Sequence, residues 1–142
     1  FLTHDLPSYG ILDEEQLFYM NMLLKEALEN AIFHGNLELN SGIRLENPNL
    51  FYETAAKKRE IDPYKNRKVI VHYEINRNSA KYVIRDEGKG FVHSKLFDSE
   101  DPENLPRIKG RGLVMIINFM DEVFWNDKGN EITIVRYRKR KV

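Results

Sequence analysis

The sequence predicts an α+β domain, a two-layer sandwich in which helices cover one face of a mostly antiparallel, mixed sheet. Three observations lead there. Apolar residues recur at helical spacing over 13–35 and again over 113–120. Apolar and polar residues alternate in two pairs of short runs, near 69–84 and 123–137. The elements follow one another as helix, inserted segment, strand pair, helix, strand pair.

The first helix has the ends it needs. Asp13 can cap it, Glu14 and Glu15 put negative charge in its first turn, and Gly35 follows the last apolar position. Residues 37–67 are polar and punctuated, an insert of loops around one shorter helix that Asn47-Pro48 would start ahead of Leu50, Phe51, Ala55 and Ala56. Val69, Val71, Tyr73 and Ile75 alternate with more polar neighbours, and 82–84 resumes the pattern after Arg77-Asn78, as in two strands joined by a tight turn. Asp86 ends the second strand. A loop rich in Gly, Pro and acids occupies 87–109, and 113–120 is a short apolar helix. The runs 123–126 and 131–137, separated by Asp127-Lys128-Gly129-Asn130, close the domain as a hairpin.

Composition bounds what the chain can be. Its 142 residues suit one domain, 1–142, with a core that needs no disulfide. Without Cys there is no thiolate nucleophile and no zinc-thiolate site. Lys plus Arg, 22, balance Asp plus Glu, 22, which argues against a general binder of nucleic acid or acidic membrane. No apolar run approaches the roughly 18 residues of a membrane span and no basic-then-apolar leader is present, so a cytoplasmic location is expected. Because Phe1 stands where Met would begin a gene product, the chain is expected to be part of a longer one. The basic tail from Arg136 to Lys141 alternates along a strand and reads more simply as an exposed charged edge than as a nucleic-acid patch.

On a helical wheel, Leu17, Leu24, Leu28 and Ala31 form the expected core stripe of the first helix. Glu26, Asn30 and His34 form another stripe at i, i+4, i+8, flanked by Tyr19, Leu23, Ala27 and Phe33. Polar groups ringed by apolar ones suit a pocket wall, though a second solvated face has the same pattern. Two glycine segments lie downstream, Asp86-x-Gly88-x-Gly90 at a strand end and Gly110-Arg111-Gly112-Leu113 before a helix. Each alone can be a set of turn residues. Neither fits the Gly-x-x-x-x-Gly-Lys-Ser/Thr or Gly-x-Gly-x-x-Gly phosphate loops.

Taken in order, Glu26-x-x-x-Asn30-Ala31-x-x-His34-Gly35, Asp86-x-Gly88-x-Gly90 and Gly110-x-Gly112-Leu113 closely resemble the N, G1 and G2 boxes of the GHKL, or Bergerat-fold, histidine kinase-like ATPases. Glu26-Ala27, His34-Gly35 and Gly-Arg-Gly-Leu leading to Phe119-Met120-Asp121-Glu122-Val123 look most like the anti-sigma-factor serine kinases within that superfamily. The resemblance implies ATP and Mg²⁺ as cofactors. Asp86 would accept a hydrogen bond from the adenine amino group, where guanine presents a carbonyl oxygen. Thr133, on the last strand, would bond the same base, or would only favour the strand. Gly88 and Gly90 would let the backbone approach the base. Gly110 and Gly112, at a helix start, would seat the phosphates, with Arg111 neutralising the γ-phosphate. Asn30 would give Mg²⁺ its one protein ligand. His34 would touch the phosphates or cap the helix, and Glu26 would be the general base. Residues 92–109 would form the ATP lid.

Two functions of different classes follow from the resemblance. One is an ATP-dependent protein serine/threonine kinase that phosphorylates a small antagonist protein. The other is a nucleotide-dependent binding module that sequesters a sigma factor or switches a fused regulatory domain. A third possibility, the catalytic domain of a two-component histidine kinase, would require a phosphoacceptor helix in a portion of the longer chain N-terminal to Phe1. A protein partner is expected in either case, nucleic acid and membrane are not, and a homodimer is compatible with both.

Overall fold

The computed structural model describes residues 2–90 and 108–139. The order is α1 (Glu14–Glu29), a π-helical turn (Asn30–Asn36), α2 (Ser41–Glu46), α3 (Pro48–Lys58), a 3₁₀ turn (Tyr64–Asn66), β1 (Ile70–Ile75), β2 (Ser79–Arg85), α4 (Ile108–Phe119), β3 (Glu122–Trp125) and β4 (Glu131–Tyr137). The four strands form one sheet in the order β1-β2-β4-β3, and every described pairing is antiparallel, so the mixed character expected of the sheet has no counterpart there. Tyr82 faces Ile134 and Ile84 faces Ile132 in the register, which sets one apolar face toward α1 and α4. That is the α+β sandwich the sequence predicts.

The Asp13 capping box closes the start of α1: Gln16 donates its amide to the Asp13 carboxylate, and the Gln16 side chain accepts from the Asp13 amide. The single helix expected over 13–35 is instead α-helical to Glu29 and π-helical beyond it, with the Leu37 amide reaching the Ile32 carbonyl five residues back. The core stripe is also rotated from the expected one. Met20, Leu23, Leu24, Ala27 and Ala31 are buried, because the sheet and α4 approach from that side, while Leu17 is only half-buried. Leu6, Ile11 and Leu12 of the N-terminal turns join this core, and the Tyr82 hydroxyl donates to the Leu2 carbonyl at 2.6 Å.

The insert holds the expected helix, with the Asn47 side chain accepting the Leu50 amide and Pro48 in the first turn. It also holds α2, which the sequence did not announce. Its apolar residues build a satellite cluster of Leu37, Leu39, Phe51 and Ala55, with Phe33 packed 5.3 Å from Phe51 between ring centres. The last helix starts earlier than expected, at Ile108 rather than Leu113. Two helix-disfavouring glycines in five residues hide that start from propensity. The lid expected over 92–109 lies almost wholly in 91–107, outside the described residues.

Candidate functional site

The site begins where β2 runs out. Past Arg85, the Asp86 amide still donates to the Asn130 carbonyl, at 2.9 Å, so the strand end is held while its side chain leaves the sheet. Gly88 donates its amide back to Asp86 Oδ1 at 2.9 Å. Asp86 is 9% exposed. Burial pushes its carboxyl pKa up, opposed by the Gly88 amide and by the positive charges of Lys128 and Arg67.

Around it is a pocket lined by Ala27, Asn30, Ala31, His34, Gly35, Asp86, Gly90, Leu113, Ile116, Trp125 and Ile132. The π-helical turn supplies four of those groups, from Asn30 to Gly35. A pocket with mostly apolar walls and a few aimed polar groups is the usual form of a small-molecule site. Gly35 lies against the Asp86 carboxylate so closely that a Cβ would overlap it, and a Cβ on Gly88 would overlap the Gly35 carbonyl. Gly90 has φ +78°, and a Cβ there would meet the Lys128 carbonyl. Gly35 and Gly88 are thus packing requirements around one carboxylate, and Gly90 is one against the turn that carries Lys128.

Glu26, one turn before Asn30, is half-buried and points at the other glycine segment. A Cβ on Gly112 would stand 2.7 Å from Glu26 Oε2. The sequence expectation placed both glycines ahead of the helix, with free amides. With α4 starting at Ile108, only Gly110 falls among the first four residues, whose N–H groups lack an intrahelical partner. Gly112 instead makes room for Glu26. Nothing is described of the Arg111 side chain.

His34 donates from Nδ1 to the Leu39 carbonyl at 2.8 Å and also lines the pocket. Thr133 goes elsewhere. Ile132 lines the pocket, and period-two alternation sends Thr133 to the opposite sheet face, level with Val83 and Phe124. The residue that meets Asp86 from the β3–β4 turn is Asn130, 5% exposed, whose Nδ2 donates to the Asp86 carbonyl at 3.0 Å. Asn126 orients it, donating to Asn130 Oδ1 at 2.7 Å and accepting the amides of Gly129, Asn130 and Glu131. In the sequence Asn130 is only a turn residue, and Gly35 is a helix stop and the last residue of the first motif, with no role of its own. The dipeptide spacing gives no sign of either contact.

Asn30 is a neutral oxygen donor on the pocket wall, and among the described residues no group of three His, Asp or Glu is arranged to hold a metal ion. No helix among the described residues is long and apolar enough to cross a membrane. The family model described as histidine kinase-like ATPase domain matches residues 3–136. No curated protein and no solved structure matches the chain.

Proposed function

Since the chain belongs to the histidine kinase-like ATPase family, we propose that it is an ATP-binding protein serine/threonine kinase of the anti-sigma-factor type, regulating a partner protein in bacterial signalling. The observation that carries the reading is a buried carboxylate, Asp86, in the wall of an apolar pocket. Retaining a charge there opposes folding, so a polar ligand that uses it is the economical explanation.

Asp86 would accept a hydrogen bond from the adenine amino group, and the apolar pocket residues Ala27, Ala31, Ile116 and Ile132 would face the base. Asn30 would hold Mg²⁺ by its amide oxygen. Gly110 and Arg111, in the first turn of α4, would bind the phosphates, together with the helix dipole. Bound Mg-ATP would supply the transferable phosphoryl group and neutralise its charge. Glu26 accepts the proton of a seryl or threonyl hydroxyl as that oxygen bonds to the γ-phosphorus and the bond to ADP breaks. Its placement against Gly112, beside the phosphate-binding helix start, favours this over a pure binding module, which needs no base there. The expected partner is a sigma factor, its antagonist or a fused regulatory domain.

The test separates binding from chemistry. Glu26→Gln should bind Mg-ATP with the affinity of the parent while forming ADP roughly 10²- to 10⁴-fold more slowly. Turnover at the parental rate would remove the base assignment.

A further inference from the structure

Both ends of the 37–67 insert meet beside the pocket. Arg67, at its far end, donates from Nη1 to the Asn36 carbonyl at 2.7 Å and to Glu38 Oε2 at 3.2 Å. Asn36, 5% exposed, accepts the Glu87 amide on its Oδ1 at 2.7 Å. The Lys68 amide in turn donates to Glu87 Oε1 at 2.6 Å. Three stretches, 35–38, 67–68 and 86–88, are therefore tied together. The insert locks itself at the same place: Lys58 Nζ donates to the Leu37 carbonyl at 3.0 Å, and the cations of Lys58 and Arg67 lie over the Tyr64 ring.

We infer that Arg67 and Asn36 are positioning residues for the base-facing carboxylate, and that the insert is a clamp whose closed ends hold Asp86, Glu87 and Gly88 in the binding arrangement. The inference rests on the nucleotide reading above. Gly35 packs against the Asp86 carboxylate and Gly88 packs on the Gly35 carbonyl, so any shift of residue 36 is felt directly at the base site. Arg67 is anchored by Glu38, each side chain 18% exposed, which makes the junction stiff. Lys89, by contrast, reaches Glu38 at 3.9 Å with its side chain 80% exposed.

Arg67 also acts through its charge. Among the described residues, the charged and titratable groups around Asp86 are Lys128 on the β3–β4 turn, Arg67 on the insert, His34 on the π-helical turn and Glu87 beside it in sequence. Lys128 and Arg67 favour the ionised carboxylate against its burial. Neutralising Arg67 raises the pKa of Asp86 further, so adenine recognition is lost at a higher pH as pH falls.

The experiment is Mg-ATP affinity as a function of pH for the parent, Arg67→Gln and Arg67→Lys, with thermal unfolding to confirm folding. The expected result is an Arg67→Gln affinity lower by about tenfold at neutral pH, with the acidic loss of binding moved upward, and an Arg67→Lys profile returned to the parental pH. A folded Arg67→Gln with the parental affinity and profile overturns the clamp while leaving the nucleotide reading intact. A parent chain that binds no adenine nucleotide overturns both. Should Arg67→Gln not fold, amide exchange in the parent decides. Mg-ATP should slow exchange at Lys68, whose amide lies outside the pocket but donates to Glu87. Unchanged Lys68 exchange at saturation contradicts the clamp.

Discussion

Gly35 and Asp86 occupy each other's space: the glycine backbone lies where any side chain would displace the carboxylate. The two residues are far apart in sequence and belong to different elements, the π-helical turn and the end of β2. Their contact is what turns a strand terminus and a helix terminus into one pocket.

Gly35→Ala should therefore fold, since its φ lies outside the left-handed range, yet move the Asp86 side chain. Calorimetry should show Mg-ATP affinity lower by at least about tenfold, the loss of one hydrogen bond to a charged group. Gly90→Ala should behave differently. With φ +78° and the Lys128 carbonyl in the way, it should lower the thermal midpoint first.

Asp86→Asn tests the carboxylate in both directions. The folded-state pKa of Asp86 is raised by burial, so its ionisation opposes folding, and the stability it allows at low pH is lost as pH rises through that raised value. Asn can still accept the Gly88 amide. The variant should melt at a higher temperature than the parent at neutral pH, and bind Mg-ATP about 10- to 100-fold more weakly. A lower melting temperature would mean that Asp86 is structural.

Gly112→Ala should act on Glu26. The new methyl would stand 2.7 Å from Glu26 Oε2, the far end of a side chain that can swing aside. Folding and Mg-ATP binding should change little, while ADP formation falls, as in Glu26→Gln. Equal turnover in Gly112→Ala and the parent would show that Glu26 needs no fixed place.

Asn126→Ala should loosen the β3–β4 turn that supports Asp86. Its side chain serves three amides and Asn130. Leaving those partners unsatisfied should cost on the order of 1–3 kcal/mol, read by denaturant unfolding.

Most elements are legible in this sequence because their signals are local: Asp13, Asn47-Pro48 and the turn at 127–130 each act within a few residues, whereas α2 and the π-helical turn carry no such signal. The site is legible only in part, and the reason is again distance. Glu26, Asn30 and His34 share one helix face, so spacing finds them. Gly35 against Asp86, Asn36 against Glu87 and Arg67 against Asn36 span separate elements, and no local period encodes such pairs. Of the two roles open to Thr133, base contact or strand residue, alternation along β4 leaves the second, giving the pocket side to Ile132, with Asn130 reaching Asp86 from the turn. The helix start at Ile108 was masked by the glycines themselves, whose low propensity is outweighed there by the packing of α4 on α1.

The central claim is that Asp86 selects an adenine nucleotide in this pocket. Calorimetric titration of the parent with Mg-ATP and Mg-GTP tests it most directly. The account predicts saturable one-to-one binding of Mg-ATP and binding of Mg-GTP weaker by at least about tenfold, because guanine turns a carbonyl oxygen toward the carboxylate. Equal affinity for the two, or no binding of either, would contradict it.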